Sequence, residues 1–121
     1  MPMPSGNYGK ELVLDLHDCD VRLITEIRLT RFLDTLCDYL EMTPVESYWW
    51  IDLDNKEPHL AGISVVQFIR TSNITVHALT KLERVYINVF SCKDFNADKA
   101  SAFIRSWFSG KVMTKHIIDR I

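Results

Sequence analysis

GISVVQFIRTSNITVHALT, residues 62–80, is two apolar runs meeting at a short polar corner. Ile63, Val65 and Ile69, then Ile74, Val76 and Ala78, recur at every second position. That is the period of strands with one buried face, so the stretch predicts an antiparallel hairpin. ERVYINVFSC (83–92) continues as a third strand with Val85, Ile87 and Val89 in step. A turn at Thr71–Ser72 pairs Arg70 with Asn73 and leaves Ser64 diagonal to His77. A second turn at Lys81–Leu82 sets Cys92 opposite Thr71–Ser72. One face then holds Ile63, Val65, Gln67, Ile69, Ile74, Val76, Ala78, Val85, Ile87 and Val89. Apart from Gln67 it is apolar, as a helix-covered sheet face is. The other face mixes Ser64, Val66, Phe68, Arg70, Asn73, Thr75, His77, Tyr86, Asn88, Phe90 and Cys92. Aromatic and polar groups together on one sheet face point to an interface, a site, or both.

Outward from this core, ELVLDLH (11–17) alternates as a first strand. From about Val21 to Met42, Leu29, Phe32, Leu33, Leu36 and Leu40 fall at helical spacing and predict one long amphipathic helix. ESYWWIDLD (46–54) reads as a strand with one tryptophan inward and one outward, closed by the turn-prone Asn55–Pro58 segment. Asn96 caps a second helix whose inward positions are Ala100, Phe103, Ile104, Trp107 and Phe108, and Gly110 ends it. KVMTKHIID (111–119) is the last strand. The order predicts an α+β fold: a largely antiparallel sheet, two helices packed on one face, the other face at a dimer interface. Residues 1–9 read as a flexible leader and 10–121 as a single domain.

Composition is ordinary, 47% hydrophobic and 25% charged with a formal net charge of −2. No clustered basic face marks a nucleic-acid binder. No apolar run approaches the roughly 18 residues of a membrane span, and the N-terminus lacks a signal-peptide core. Cys19, Cys37 and Cys92 are odd in number and far apart, which suits free thiols in a reducing cytoplasm. The sequon Asn73-Ile74-Thr75 then has no role. Asp52 and Asp54 resemble the start of a calcium loop, but Lys56 takes the next ligand position and the glycine is misplaced. His17, Cys19 and their acidic neighbours point to alternate sides of an extended segment, so no metal is expected.

RTSNITVH (70–77), followed fifteen residues after His77 by Cys92 in VFSC, resembles the bacterial and archaeal S-adenosylmethionine decarboxylase proenzymes. Gly9-Lys10-Glu11-Leu12 with Cys19, Gly62-Ile63-Ser64 and Asp98-Lys99-Ala100 extend the similarity over roughly residues 9–118. The resemblance implies self-cleavage between Thr71 and Ser72. Ser72 becomes a pyruvoyl group, the electrophile that forms a Schiff base with substrate. His77 is then the processing base, Ser64 its assistant, and Cys92 the proton donor in decarboxylation. The chemistry fits these residue types: a serine oxygen attacks the preceding carbonyl, and a thiol with a neutral-form pKa of about 8.5 holds a proton for a carbanion-like carbon.

Ser72 and His77 lie on the order of 16 Å apart on one strand at ~3.3 Å per residue, so they cannot meet within one chain. Half-sites of Ser72 with Cys92, and of Ser64 with His77, would be joined by a twofold homodimer. The resemblance likewise implies sites shared between protomers. This chain departs from the family's pattern at several positions. Thr71 and Asn73 replace a glutamate and a histidine around the serine, and Leu79 and Thr80 replace a tryptophan and a proline. Lys81 stands where an acidic substrate contact is implied, and Pro58 where an aromatic is implied to stack on adenine. These changes bear on the substrate more than on cleavage, since an acyl shift needs the Thr71 carbonyl and not its side chain. Glu46-Ser47 has no histidine or cysteine at the matching distances and is rejected as the cleavage point. Three functions remain open: a self-processing S-adenosylmethionine decarboxylase of polyamine (spermidine) synthesis, a pyruvoyl decarboxylase of a basic amino acid such as arginine or ornithine, and a non-cleaving homologue that dimerises with itself or an active paralogue.

Overall fold

A computed structural model describes residues 3–121. Six strands and two helices follow one another as β1 (Gly9–His17), α1 (Glu26–Tyr39), β2 (Pro44–Asp52), β3 (Gly62–Ile69), β4 (Ser72–Leu79), β5 (Arg84–Ser91), α2 (Ala97–Phe108) and β6 (Lys111–Arg120). The strands form one antiparallel sheet in the order β2-β3-β4-β5-β1-β6. β1 begins at Gly9, two residues earlier than its alternation indicates, and runs between β5 and β6. Among the described residues no helix is long and apolar enough to cross a membrane.

Both helices pack on the apolar face, giving the expected α+β arrangement. Leu29, Phe32, Leu33 and Leu36 of α1 and Ala100, Ile104 and Phe108 of α2 are buried with Leu12, Leu14, Leu16, Ile63, Val65, Ile74, Val76, Val85, Ile87 and Val89 of the sheet. Phe32 lies within 4.8 Å of Phe108 and 5.7 Å of Trp107, ring centre to ring centre, knitting the two helices together. Gln67, the one polar side chain in the expected apolar run, is buried because it serves the backbone. Its amide donates to the Glu46 and Phe68 carbonyls at 3.1 and 2.9 Å, where the β2–β3 register shifts between Pro44 and Ser47. Pro44 has no N–H for the ladder, so the irregularity falls where pairing is weakest.

Two local expectations are corrected. The long helix from Val21 is broken: Val21–Leu23 form a separate 3-10 turn capped by Asp20, and Thr25 caps α1 by accepting from the Arg28 N–H. Two side-chain caps five residues apart outcompete a continuous helix, because each satisfies donors that a helix start leaves open. The β3–β4 corner is also tighter than expected. Ile69 pairs with Ser72, so the loop is Arg70–Thr71 and Ser64 stands directly opposite His77 rather than diagonal to it. The shift is by two residues, which keeps every side chain on its predicted face. The β4–β5 register is as expected, with Ser72 paired to Ser91. Asn96 caps α2, but the left-handed residue at its end is Ser109. Gly110 answers another need: a Cβ there would sit 2.9 Å from the Cys19 sulfur.

Candidate functional site

The open sheet face carries the expected residues in rows set by strand pairing. Trp50, Ser64, His77, Tyr86, Asp15 and Thr114 are consecutive partners across all six strands. Within that row the Ser64 hydroxyl lies 2.6 Å from His77 Nδ1, and the Tyr86 ring centre 6.3 Å from that of His77. When Nδ1–H donates to Ser64, Nε2 keeps its lone pair and is the basic nitrogen. A hollow of about 380 Å³ opens above this row and its neighbour Tyr48–Val66–Thr75–Asn88.

The second cluster lies at the far end of β4. Ser72 has φ of +153°, outside the regions that a residue with a side chain readily adopts. Such backbone costs of order 1–3 kcal/mol and persists only where its surroundings impose it. Here β5 imposes it from two sides. The Cys92 N–H donates to the Thr71 carbonyl at 2.9 Å, and the Thr71 hydroxyl lies 2.8 Å from that of Ser91. Ser91 is fully buried and also accepts from the Lys93 N–H at 3.0 Å. Strand alternation counted back from Ile74 would send Ser72 toward the helices. Ser72 is only partly buried, and its hydroxyl accepts from the Asn73 side-chain amide at 3.2 Å.

The structure therefore brings Ser64 to His77 and Thr71–Ser72 to Cys92, and leaves the two clusters at opposite ends of β4. Lys81 does not join either: its ammonium donates to the Asn55 carbonyl at 2.6 Å and ties the β4–β5 turn to the β2–β3 connection. Ser91 and the Cys92 N–H were not singled out in the sequence. Ser91 had a visible signal, a hydroxyl continuing the apolar alternation of Val85, Ile87 and Val89. The backbone N–H had none, since its role comes from register alone. A second network occupies the same face: Asn88 donates to Glu11 at 2.9 Å, and Arg120 pairs with Glu11 at 2.7 Å while its guanidinium lies 4.8 Å from the Phe90 ring centre. A larger cavity of about 670 Å³ near the α2 start is lined by Lys10, Lys93 and Lys99, of which Lys10 is engaged by Asp94 and the Phe95 carbonyl and Lys93 by the Glu41 carbonyl.

The three thiols differ in kind. Burial, with a smaller push from nearby acids, raises Cys19 and Cys37 from 9.0 to about 11. Cys92 is only partly buried. Thiolate is the reactive form, so a rise from 9.0 to about 11 suppresses alkylation of Cys19 and Cys37 about a hundredfold before access is considered. Iodoacetamide near neutral pH is expected to label Cys92 first, and the other two only after denaturation. Peptide mass mapping checks this, and faster labelling of Cys19 or Cys37 would contradict it.

A family model described as S-adenosylmethionine decarboxylase matches residues 10–121. The chain belongs to that family. Its fold is similar to that in the crystal structure of the adenosylmethionine decarboxylase from Aquifex aeolicus VF5, with a TM-score of 0.78 over 94% of this chain and 91% of the other. Sequence identity is 20%, so that likeness is one of fold. No curated protein matches the chain. The resemblance implies a pyruvoyl group made from Ser72, and the peptide that would have to open for it is Thr71–Ser72. That peptide is strained, and its carbonyl is already held by a donor.

Proposed function

We propose that the chain cuts itself between Thr71 and Ser72 and acts, as a cytoplasmic homodimer, as a pyruvoyl-dependent decarboxylase of S-adenosylmethionine in polyamine synthesis. The observation that carries this reading is the strained Ser72 whose preceding carbonyl accepts the Cys92 N–H at 2.9 Å. Attack of Ser72 Oγ on the Thr71 carbonyl carbon forms a C–O bond and places negative charge on the Thr71 oxygen. The Cys92 N–H donates to that oxygen as an oxyanion-hole donor does. Collapse breaks the Thr71–Ser72 C–N bond, the Ser72 nitrogen takes the hydroxyl's proton, and an ester remains. A base then removes the Ser72 α-proton, and the Thr71 carboxylate leaves from Cβ. Tautomerisation, addition of one water and loss of ammonia convert the resulting dehydroalanine to pyruvoyl.

His77 Nε2 is the base in this scheme, with Ser64 fixing the ring through Nδ1. His77 reaches Ser72 from the partner protomer, because the two are five residues apart along β4 in their own chain. The pyruvoyl carbonyl supplies an electron sink for loss of the substrate carboxylate. Cys92 holds the proton returned to the substrate carbon, at Sγ. Thr71 takes no part through its side chain, which is turned to Ser91. The lining of the hollow contains aromatic rings and no carboxylate. A sulfonium has no N–H groups and can be held by such rings alone, whereas a guanidinium or ammonium side chain, though also attracted to a ring face, brings N–H donors that are best met by a carboxylate, so S-adenosylmethionine is favoured over a basic amino acid. Lys81, tied to Asn55, is left outside the proposed substrate contacts.

Intact mass spectrometry of the purified protein tests the proposal. Fragments 1–71 and 72–121 are expected, the second blocked at its N-terminus, with carbon dioxide released from S-adenosylmethionine and not from arginine or ornithine. A single full-length mass after prolonged incubation would sink the enzyme reading and favour the non-cleaving homologue.

A further inference from the structure

We infer that Ser91 is a positioning residue for the cut at Thr71–Ser72, and that it acts by gripping the Thr71 side chain so that β5 fixes the plane of the scissile peptide. The inference rests on the reading of Thr71–Ser72 as the cleavage point. The β3–β4 loop is only Arg70 and Thr71. On the β2 flank of the hairpin, the Arg70 N–H donates to the Thr43 carbonyl at 3.0 Å. On the β5 flank, two consecutive residues hold Thr71. The Cys92 N–H donates to its carbonyl at 2.9 Å, and the Ser91 hydroxyl lies 2.8 Å from its own. A carbonyl held by one bond can still rock about the line of that bond. A second bond, through the side chain of the same residue, removes that freedom. The Thr71 carbonyl and the Ser72 nitrogen share one plane, and beyond it Ser72 is fixed by pairing with Ile69 and Ser91. The rotation left between the gripped plane and the paired strand is the φ of Ser72, which takes the strained value of +153°.

Ser91 is built to be the rigid side of this grip. Its backbone is paired with Lys10 of β1 on one side and Ser72 of β4 on the other. β1 runs so close that a Cβ on Gly9 would sit 2.7 Å from the Ser91 carbonyl oxygen. Ser91 is fully buried, so its hydroxyl hydrogen has no path to water. The Lys93 N–H donates to Ser91 Oγ at 3.0 Å and occupies a lone pair, which leaves the hydroxyl hydrogen to be placed. Among the described residues the acceptor within reach is Thr71 Oγ, and Ser91 donates to it. A buried hydroxyl without an acceptor is costly, so the bond is hard to give up. The branched Cβ of Thr71 restricts χ1, so little slack separates the held hydroxyl from the carbonyl. Ser91 touches no reacting atom. The Thr71 side chain, idle while bonds are made and broken, is the handle through which Ser91 acts.

The test reads two signals. The first is the rate at which fragments appear by intact mass. Ser91→Ala and Thr71→Val should each slow it by about tenfold or more, as misplacement of a reacting group does. The double variant should be no slower than the worse single one, because both changes remove the same bond. Thr71→Ser keeps the hydroxyl and should cut at nearly the unsubstituted rate. Uncut Ser91→Ala chains should also resist hydroxylamine, which splits esters, because the delay falls on the acyl shift itself. The second signal needs no cleavage: amide hydrogen exchange by NMR in Ser72→Ala protein. Adding Ser91→Ala should make the Cys92 N–H exchange roughly tenfold faster, while the His77 N–H keeps its rate. Unchanged exchange at Cys92, full-speed cutting by Ser91→Ala, ester build-up in that variant, or a Thr71→Ser chain as slow as Thr71→Val would each overturn the assignment. An unsubstituted chain that never cuts, with Cys92 exchange that quickens on loss of Ser91, overturns the proposed function and leaves the grip standing.

Discussion

Mixed dimers of Ser72→Ala and His77→Ala chains are expected to regain the self-cleavage that each variant alone has lost. The expectation follows from the length of β4. Ser72 opens the strand and His77 is its sixth residue, about 16 Å away in extended backbone, which is far beyond proton-transfer reach. His77 is held to Ser64 on the neighbouring strand, so it cannot swing along the sheet to its own Ser72. In the proposed homodimer a twofold axis would bring the Ser64–His77 pair of one protomer to the Thr71–Ser72 peptide of the other. Each substitution in a homodimer damages both sites, and loss of a positioned base slows such steps by roughly 10²–10⁴-fold. In the mixed dimer one site keeps both groups, with Ser72 from the His77→Ala chain and His77 from the Ser72→Ala chain. The mass spectrum should therefore show the His77→Ala chain as the one that is cut. Confirmed heterodimers that leave that chain whole would refute the shared site.

The second large effect is expected at Gly62. An alanine Cβ there would lie 1.9 Å from the Ala78 carbonyl oxygen and 3.0 Å from the Leu79 Cα. Both are backbone atoms, so no side chain can turn aside to make room. Relief requires β3 and β4 to part at the residue before the Ile63–Ala78 and Ser64–His77 pairs. Overpacking of this kind costs about 1–3 kcal/mol, a large part of the stability of a domain this size. Gly62→Ala should lower the unfolding free energy in urea by that amount and also slow cleavage, because the 2.6 Å Ser64–His77 contact depends on the pairing it disturbs. Ser64→Ala provides the contrast: cleavage should slow while the urea midpoint stays nearly fixed. A Gly62→Ala protein as stable and as active as the unsubstituted chain would show that the strands tolerate the added carbon.

The sheet faces were legible because a period of two survives errors of register that are even. Reading the corner at Thr71–Ser72 instead of Arg70–Thr71 moved every partner in the β3–β4 hairpin by two positions, yet Ile63 and Val65 stayed inside and Ser64 and Val66 outside. What was lost was adjacency, and with it the direct Ser64–His77 bond. The corner offered no glycine, and its one asparagine, Asn73, lies just past the Arg70–Thr71 loop, so nothing marked the tight turn; the strained residue proved to be Ser72. The start of α1 was misread for a related reason: Val21 and Leu23 look like an apolar helical stripe, but the stop between them and Glu26 is made by side-chain caps at Asp20 and Thr25. α2 was easier, having one cap and a continuous run of large apolar residues. The candidate site was legible in its side chains and illegible in its backbone. Neither the Cys92 N–H on the Thr71 carbonyl nor the positive φ of Ser72 leaves a trace in residue type.

The strand order has a consequence for what the proposed cleavage would do to the molecule. The N-terminal piece contributes β1, β2 and β3, and the C-terminal piece β4, β5 and β6. β1 is clasped on both sides by strands of the other piece, β5 and β6, while β3 stays zipped to β4 along its length. The two products of such a cut would be woven through one another, and neither could depart without unravelling the whole sheet. Breaking the peptide would thus act as the release of a spring in an otherwise unchanged frame: the tightest point of the hairpin gains a free end, and the fold keeps both halves for the lifetime of the protein.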